Sequence, residues 1–345
     1  MAALSRPAHV TIRAAHPGEG PAIASLWREL WDAHEAWGGY PGSRDVRVYA
    51  QLGHRLDEDA RVRGGHPILG RHIHLVADLG GVPCGQVEGW FEKHGVDPAT
   101  PYTCEVRSLI VTERARGLGA GKLLLDELAG TARLLARGAP CVLAAEVLDA
   151  NPAVAFYRRV GYATGSYNAR IESSRPPRAL GTCTARIALP RDAHALAFLE
   201  STLAARRRST GDTRFDRPRA VDATLVGAIA AHLATDGSGK AREPSTLVAI
   251  DADGVVRASA AFTTHTLEPP FIPMRRALLG RVAIDPACGA APLLTPLLTL
   301  ACRLASSQGA ARVELTDLPR PGSDLHAAAI ADGATPWSTV VLKPA

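Results

Sequence analysis

The sequence lacks any apolar run approaching the ~18 residues that a membrane-spanning helix needs. Its first residues, MAALSRPAHVTIRAA, contain no hydrophobic signal core, so the expectation is a cytoplasmic protein without a membrane partner. Cysteine is sparse and unpaired in pattern. Cys84, Cys104, Cys141, Cys183, Cys288 and Cys302 are scattered, several inside apolar runs, with no CxxC and no histidine at ligand spacing. Reduced core thiols fit this better than disulfides or a metal site. His72 and His74 alternate on one strand face without an evident third ligand, and no metal is expected. Charge of one sign does not dominate, since the formal net charge is +5. The run Arg206-Arg207-Arg208 has no interleaved aromatics and reads as a solvated helix end, so no nucleic-acid partner is expected.

What is present is a chain of 345 residues with 46% hydrophobic residues, enough for about two domains. Its most informative stretch runs from Glu105 to Tyr162. An apolar strand, Val106 to Val111, leads into Arg116-Gly117-Leu118-Gly119-Ala120-Gly121. That loop opens onto a helix beginning at Lys122. Glycines between a strand and a helix let backbone N–H groups approach an anion, and a helix N-terminus favours one. Arg116 and Lys122 add positive charge, which makes the loop a pyrophosphate cradle. It is not a Walker A loop, because Arg116 stands where the first Gly belongs and Leu123 follows Lys122. It is not a Rossmann fingerprint either: the spacing is GxGxG, with no ribose-binding acid placed after it.

Arg-x-x-Gly-x-Gly after such a strand resembles the coenzyme A loop of the GCN5-related N-acetyltransferases, the GNAT superfamily. Glu105 ahead of the strand, Asn151-Pro152, and Phe156-Tyr157-Arg158-Arg159-Val160-Gly161-Tyr162 follow the family pattern. The resemblance implies an α/β fold (an α+β mixed sheet flanked by helices) in which pantetheine lies between two parted strands. It implies acetyl-CoA as the cofactor. Backbone groups of Leu109, Ile110 and Val111 would pair with pantetheine, and Arg116, Gly117, Leu118, Gly119, Ala120, Gly121 and Lys122 would hold the pyrophosphate. Tyr157 would serve the leaving thiolate as acid, and Glu105 would be the base, with Glu88 and Glu146 as alternatives and a salt bridge to Arg107 as the bland reading of Glu105. The family usually places its Asn one residue further ahead of the Tyr, so Asn151 is either a pantetheine contact or an entry cap for the last helix.

The chain also repeats itself at an offset of 173 residues. Arg13 falls on Arg186, Asp78 on Asp251, Gly81 on Gly254 and Val111 on Ile284, while Gly161 falls within one residue of Gly333. Two tandem domains are expected, 1–175 and 182–345, with a proline-bearing linker at 173–181. Loops are expected at 211–219 and 267–273. The second copy lacks the chemistry. That register sets Leu278 against Glu105, Gly289 against Arg116, Ala290 against Gly117, Pro292 against Gly119 and Leu294 against Gly121, and counting back from Gly333 sets Ala329 against Tyr157.

The implied reaction is direct attack of a primary amine on the thioester, since no Cys or Ser has a convincing base partner for a covalent route. Residues 26–41, LWRELWDAHEAWGGYP, form the acceptor side, where Glu29, Asp32 and Glu35 beside Trp31, Trp37 and Tyr40 suit a cationic small-molecule amine. The same residues also suit a solvated helix face over a core, and His34 reads as structural. A protein lysine or N-terminal acetyltransferase and a non-catalytic acyl-CoA-binding scaffold stay open. A monomer or homodimer is expected.

Overall fold

The computed structural model describes residues 9–94, 99–177, 181–215, 218–234 and 244–345. Residues 178–180 of the expected linker and 216–217 of the expected loop lie outside the described residues. So do residues 1–8 of the N-terminal segment. The chain divides into two compact units. The first holds Met1–Ala163 with Glu268–Ile272 and Val341–Ala345; the second holds Thr164–Leu267 and Pro273–Val340.

In the first unit, β1 (Val10–Arg13) leads to α1 (Gly20–Ala36) and α2 (Val46–Arg63). Then come β2 (Ile68–Leu69), β3 (His72–Leu79), β4 (Val82–Lys93) and β5 (Tyr102–Val111). After the loop follow α3 (Ala120–Ala136), β6 (Cys141–Leu148) and α4 (Ala153–Arg159). The sheet order is β1-β3-β4-β5-β6, with β2 on β3. Only β5–β6 is parallel within it. The alternation of β3 and β4 decides which helices cover which face. Ile73, Leu75 and Val87 join Cys104 against Leu124, Leu125 and Leu128 of α3. Full burial of each such leucine contributes roughly 1.5–3 kcal/mol. On the opposite face Val76 meets Ile23, Trp31, Leu52 and Leu56 of α1 and α2.

Those two helices approach closely because each carries a glycine at the crossing, Gly20 and Gly53. A Cβ on Gly20 would stand 2.0 Å from the Gly53 carbonyl oxygen. Helix α2 starts where Asp45 Oδ1 accepts the Arg47 N–H at 2.9 Å and ends at left-handed Gly64.

The second unit contains β7 (Ala163–Glu172), β8 (Thr184–Ile187), α5 (Ala193–Ser209), α6 (Ala223–Leu233), β9 (Ser245–Ile250) and β10 (Val256–Thr266). It continues through β11 (Arg275–Ile284), α7 (Ala291–Ser307), β12 (Ala310–Leu318), α8 (Asp324–Ala331) and β13 (Thr335–Pro344). Its strand order is β13-β7-β12-β11-β10-β9-β8, and β11–β12 is again the parallel pair. The core gathers Leu279, Val313 and Leu315 under Leu294, Leu297 and Leu298 of α7.

The repeat is visible in detail. β5 and β11 have the same length at an offset of 173, as do α1 and α5. Both copies carry a non-glycine residue with positive φ at the same place, Ser108 (47°) and Arg281 (53°). Arg13 bonds Glu19 in one copy and Arg186 bonds Asp192 in the other.

Two boundaries depart from the sequence reading. The leading segment of the first compact unit stops at Ala163, short of residue 175, because the body of β7 belongs to the second unit. And α7 begins 171 residues after α3, so the uniform register fails by two at the loop. Ala287, Cys288, Ala290 and Pro292 then face Arg116, Gly117, Gly119 and Gly121. The second loop still has no cation, and its helix cap Ala290 has an ordinary φ of −71°.

Candidate active site

The pairing of β5 with β6 runs from Tyr102–Cys141 to Val106–Ala145 and then stops. Beyond that point the two strands part, and a cavity of about 850 Å³ opens between their ends. Leu109, Ile110 and Val111 line one side; Glu146, Val147, Asn151 and Tyr157 line the other. The loop residues Arg116, Gly117, Gly119, Ala120, Gly121 and Lys122 close one end. Leu118 points out, half exposed, and is not part of the lining.

The loop geometry follows from its glycines. Gly117 and Gly119 have φ of 82° and 83°, and a Cβ at either would project into open space. Gly119 is the N-cap of α3, which has no side-chain cap. A helix leaves its first N–H groups without intrahelical partners, and their dipole favours an anion. Gly121 differs from these two: its φ is not left-handed, and a Cβ there would come 3.2 Å from the Phe156 ring. Arg116 reaches across the cavity, with Nη2 3.7 Å from Glu29 and Nε 3.3 Å from the Val111 carbonyl. Lys122 pairs with Asp126 one turn along α3. The open glycine cradle, the uncapped helix start and Arg116 together fit a pyrophosphate.

Tyr157 is 6% exposed, held between the rings of Phe156 and Tyr162. Burial pushes its hydroxyl well above the usual range, so it stays protonated. Asn151 lines the cavity, and its Oδ1 accepts the N–H of Ala153, the first residue of α4, at 2.9 Å, while Pro152 stands at the helix N-cap.

Glu105 lies elsewhere. It sits inside β5 and outside the cavity lining, with its carboxylate 2.7 Å from Arg107. Glu92 and His94 are beside it, and ligand atoms of the three lie within 4.8 Å of one another. Burial pushes the Glu105 carboxyl up, but Arg107 outweighs this and holds it low. Arg107 therefore already neutralises the carboxylate expected to be the base.

The acceptor side divides. Asp32 and Glu35 both bond Arg44, at 2.8 Å each, outside the cavity. Glu29, His34 and Trp37 line it. Trp31 is core: its ring packs 4.4 Å from Phe271, whose segment also receives the Ser43 N–H at the Pro270 carbonyl, 2.7 Å. His34 stands between Trp31 and Trp37, and burial pushes its pKa down to about 4. Ser108 also lines the cavity and was not singled out from sequence. A serine inside S-L-I-V, after two alternating charges, is its faint signal.

Residues 25–162 match the profile described as the acetyltransferase (GNAT) family. The whole fold is similar to a GCN5-related N-acetyltransferase from Sphaerobacter thermophilus, with TM-score 0.56, 17% identity, 99% of this chain and 97% of that one covered. It is also similar to the glucosamine N-acetyltransferase region of a fungal multi-domain GH3 β-N-acetylglucosaminidase, with TM-score 0.57 and 13% identity; 98% of this chain aligns, spanning 38% of that protein. No curated protein matches the sequence. Residues 25–162 thus match the GNAT acetyltransferase family, the chain shares the fold of such proteins, and its second copy repeats the fold without the glycine loop.

Proposed function

We propose that the first unit is an acetyl-CoA-dependent N-acetyltransferase that delivers the acetyl group to a primary amine of a small molecule by direct attack. One observation carries this reading. The parted β5 and β6 end in a single cavity that holds an anion cradle at Arg116–Lys122, a protonated buried Tyr157, and an acid–aromatic wall of Glu29, His34 and Trp37. The free backbone edge of Leu109–Val111 suits the amides of pantetheine, and Gly117, Gly119 and Arg116 suit its pyrophosphate. Bound there, acetyl-CoA supplies a thioester, an activated acyl group.

The remaining work falls to side chains. Tyr157 donates a hydrogen bond to sulfur as negative charge develops on it, a contribution that strengthens toward the transition state. Glu29 and Glu146 draw a cationic amine toward the open end. With Arg107 on Glu105, the nearest carboxylates lining the cavity are Glu29 and Glu146. No helix among the described residues is long and apolar enough to cross a membrane, and the acceptor is proposed to arrive from solution.

The test is release of free coenzyme A across a panel of polyamines, aminoglycosides, amino acids and peptides. Turnover of at least one small amine is expected. Turnover of peptides alone would move the assignment to a protein acetyltransferase, and tight acetyl-CoA binding without turnover would leave a binding protein.

A further inference from the structure

A polar stripe crosses the sheet directly behind the cavity. Ser108 lines the cavity, and its Oγ–H donates to Glu88 Oε2 at 2.9 Å. Glu88 Oε1 lies 3.4 Å from His72 Nε2. His72 Nδ1 lies 2.8 Å from Arg63 Nη2. A guanidinium can only donate, so Nδ1 accepts and the ring proton is on Nε2, facing Glu88. The carboxylate thus receives two hydrogen bonds, and its partner His72 is held in place by an arginine that is 5% exposed. Burial pushes Glu88 up, but His72, His74 and Ser108 outweigh this and keep it ionised.

Three features set this stripe apart from ordinary core. An ionised carboxylate is costly to bury and persists only when it is well bonded. Ser108 is held at φ 47°, a conformation that non-glycine residues seldom adopt and that concentrates at functional sites. And the second copy keeps the kink but not the chemistry. There Arg281 takes the kinked position and bonds Glu200. The pairing Glu88–Arg107 is matched by Ala261–Gly280, so alanine replaces the carboxylate. The stripe accompanies the glycine loop and is absent where that loop is absent.

Resting on the acetyl-transfer reading above, we infer that Ser108 is a catalytic residue and Glu88 its proton acceptor, with His72 and Arg63 positioning the pair. With its own proton directed at Glu88, Ser108 Oγ presents a lone pair to the cavity. The amine gives its ammonium proton to solvent before attack, which frees a nitrogen lone pair; as that nitrogen bonds to the acetyl carbon, one of its remaining protons becomes acidic. It passes to Ser108 Oγ while the serine proton passes to Glu88 Oε2. The C–S bond breaks, and its electron pair leaves with the sulfur, which receives the Tyr157 hydrogen bond. The product is an amide, and Glu88 returns its proton to solvent before the next turnover.

The test compares wild type with Glu88→Gln, Ser108→Gly and the double variant on any amine the wild type acetylates. Each single change should lower kcat by about 10²-fold, the usual scale of proton-transfer catalysis. Acetyl-CoA Kd should not move. The double variant should be no slower than the worse single one, because residues acting as one unit are not additive. Glycine relieves the left-handed strain at 108, so Ser108→Gly should keep or raise Tm while losing turnover. Unimpaired turnover in either single variant, or effects that multiply in the double variant, overturns the relay and leaves the acetyltransferase standing. A wild type that binds acetyl-CoA but acetylates no amine overturns both.

Discussion

Arg207 Nη2 lies 2.7 Å from Asp317 Oδ2 inside the second unit. The offset of α1 and α5 places Arg207 where His34 stands in the first unit. The parallel strand registers place Asp317 where Val147 stands. In the first unit both positions line the cavity; in the second a buried ion pair joins them, with Arg214 3.4 Å from the same carboxylate. The second copy has therefore changed the positions that correspond to the cavity lining as well as its loop.

The pair should be structural and sensitive to removal of one partner. Asp317→Asn keeps the side-chain shape and tolerates the residue's positive φ of 60°, yet it removes the counter-charge of Arg207, which is 6% exposed. Leaving a buried charge unpaired costs about 3–5 kcal/mol, whereas replacing both partners by apolar groups is often neutral. Urea unfolding should show a large loss for Asp317→Asn and substantial recovery in Arg207→Met/Asp317→Leu. Equal losses in both would mean the pair carries no special weight.

Cofactor binding should follow the first loop alone. Calorimetry should give one acetyl-CoA per chain. Gly119→Val forces a β-branched residue into a left-handed conformation, at about 1–2 kcal/mol of strain, and sets its side chain into the cradle. Binding should be lost. Arg116→Ala removes a charge-assisted contact worth roughly 1.5–3 kcal/mol, so Kd should rise about ten-fold to a hundred-fold. Changes at Gly289 or Pro292 should leave Kd untouched. Two equivalent sites by calorimetry would refute the assignment.

The loop was legible because its signal is local: strand, glycines and helix start adjoin in sequence, and the torsions of Gly117 and Gly119 follow from residue type. What required tertiary structure was hidden. The kink at Ser108 arises from the irregular pairing of β4 with β5, where Gln86 faces Ile110 but Glu88 faces Arg107. The capture of Glu105 by Arg107 was foreseen as the bland reading of that residue. The place of Phe271 beside Trp31 was not, because some 240 residues separate them and nothing local marks the partner. The two-residue shift at α7 escaped a single-offset alignment, because β5 and β11 keep the offset of 173 up to the loop and the second copy's loop is two residues shorter.

Tyr157→Phe should separate binding from chemistry. The ring keeps its place between Phe156 and Tyr162, so acetyl-CoA Kd and Tm should hold. Loss of the donor to sulfur should lower kcat by about 10²-fold. Because burial raises the hydroxyl far above neutrality, the wild-type rate should show no limb from Tyr157 between pH 6 and 9. Wild-type turnover in the variant would reduce Tyr157 to a packing residue.

His34 gives a pH-dependent stability that can be assigned by sign. Its folded pKa is pushed down to about 4 by burial, from an ordinary value near 6.5. Between these values the unfolded chain binds the proton and the folded chain does not. Stability therefore rises with pH through this window. The neutral ring's contribution is complete above about pH 6.5 and is lost as pH falls toward 4. His34→Asn, which cannot titrate, should be less stable near pH 7 through lost packing with Trp31 and Trp37. Its stability should nevertheless fall less steeply than wild type between pH 6.5 and 4. Urea midpoints for both proteins across that range read the difference directly. Parallel curves would show that His34 is solvated and protonates alike in both states, and the neutral imidazole would then have no part in the acceptor wall.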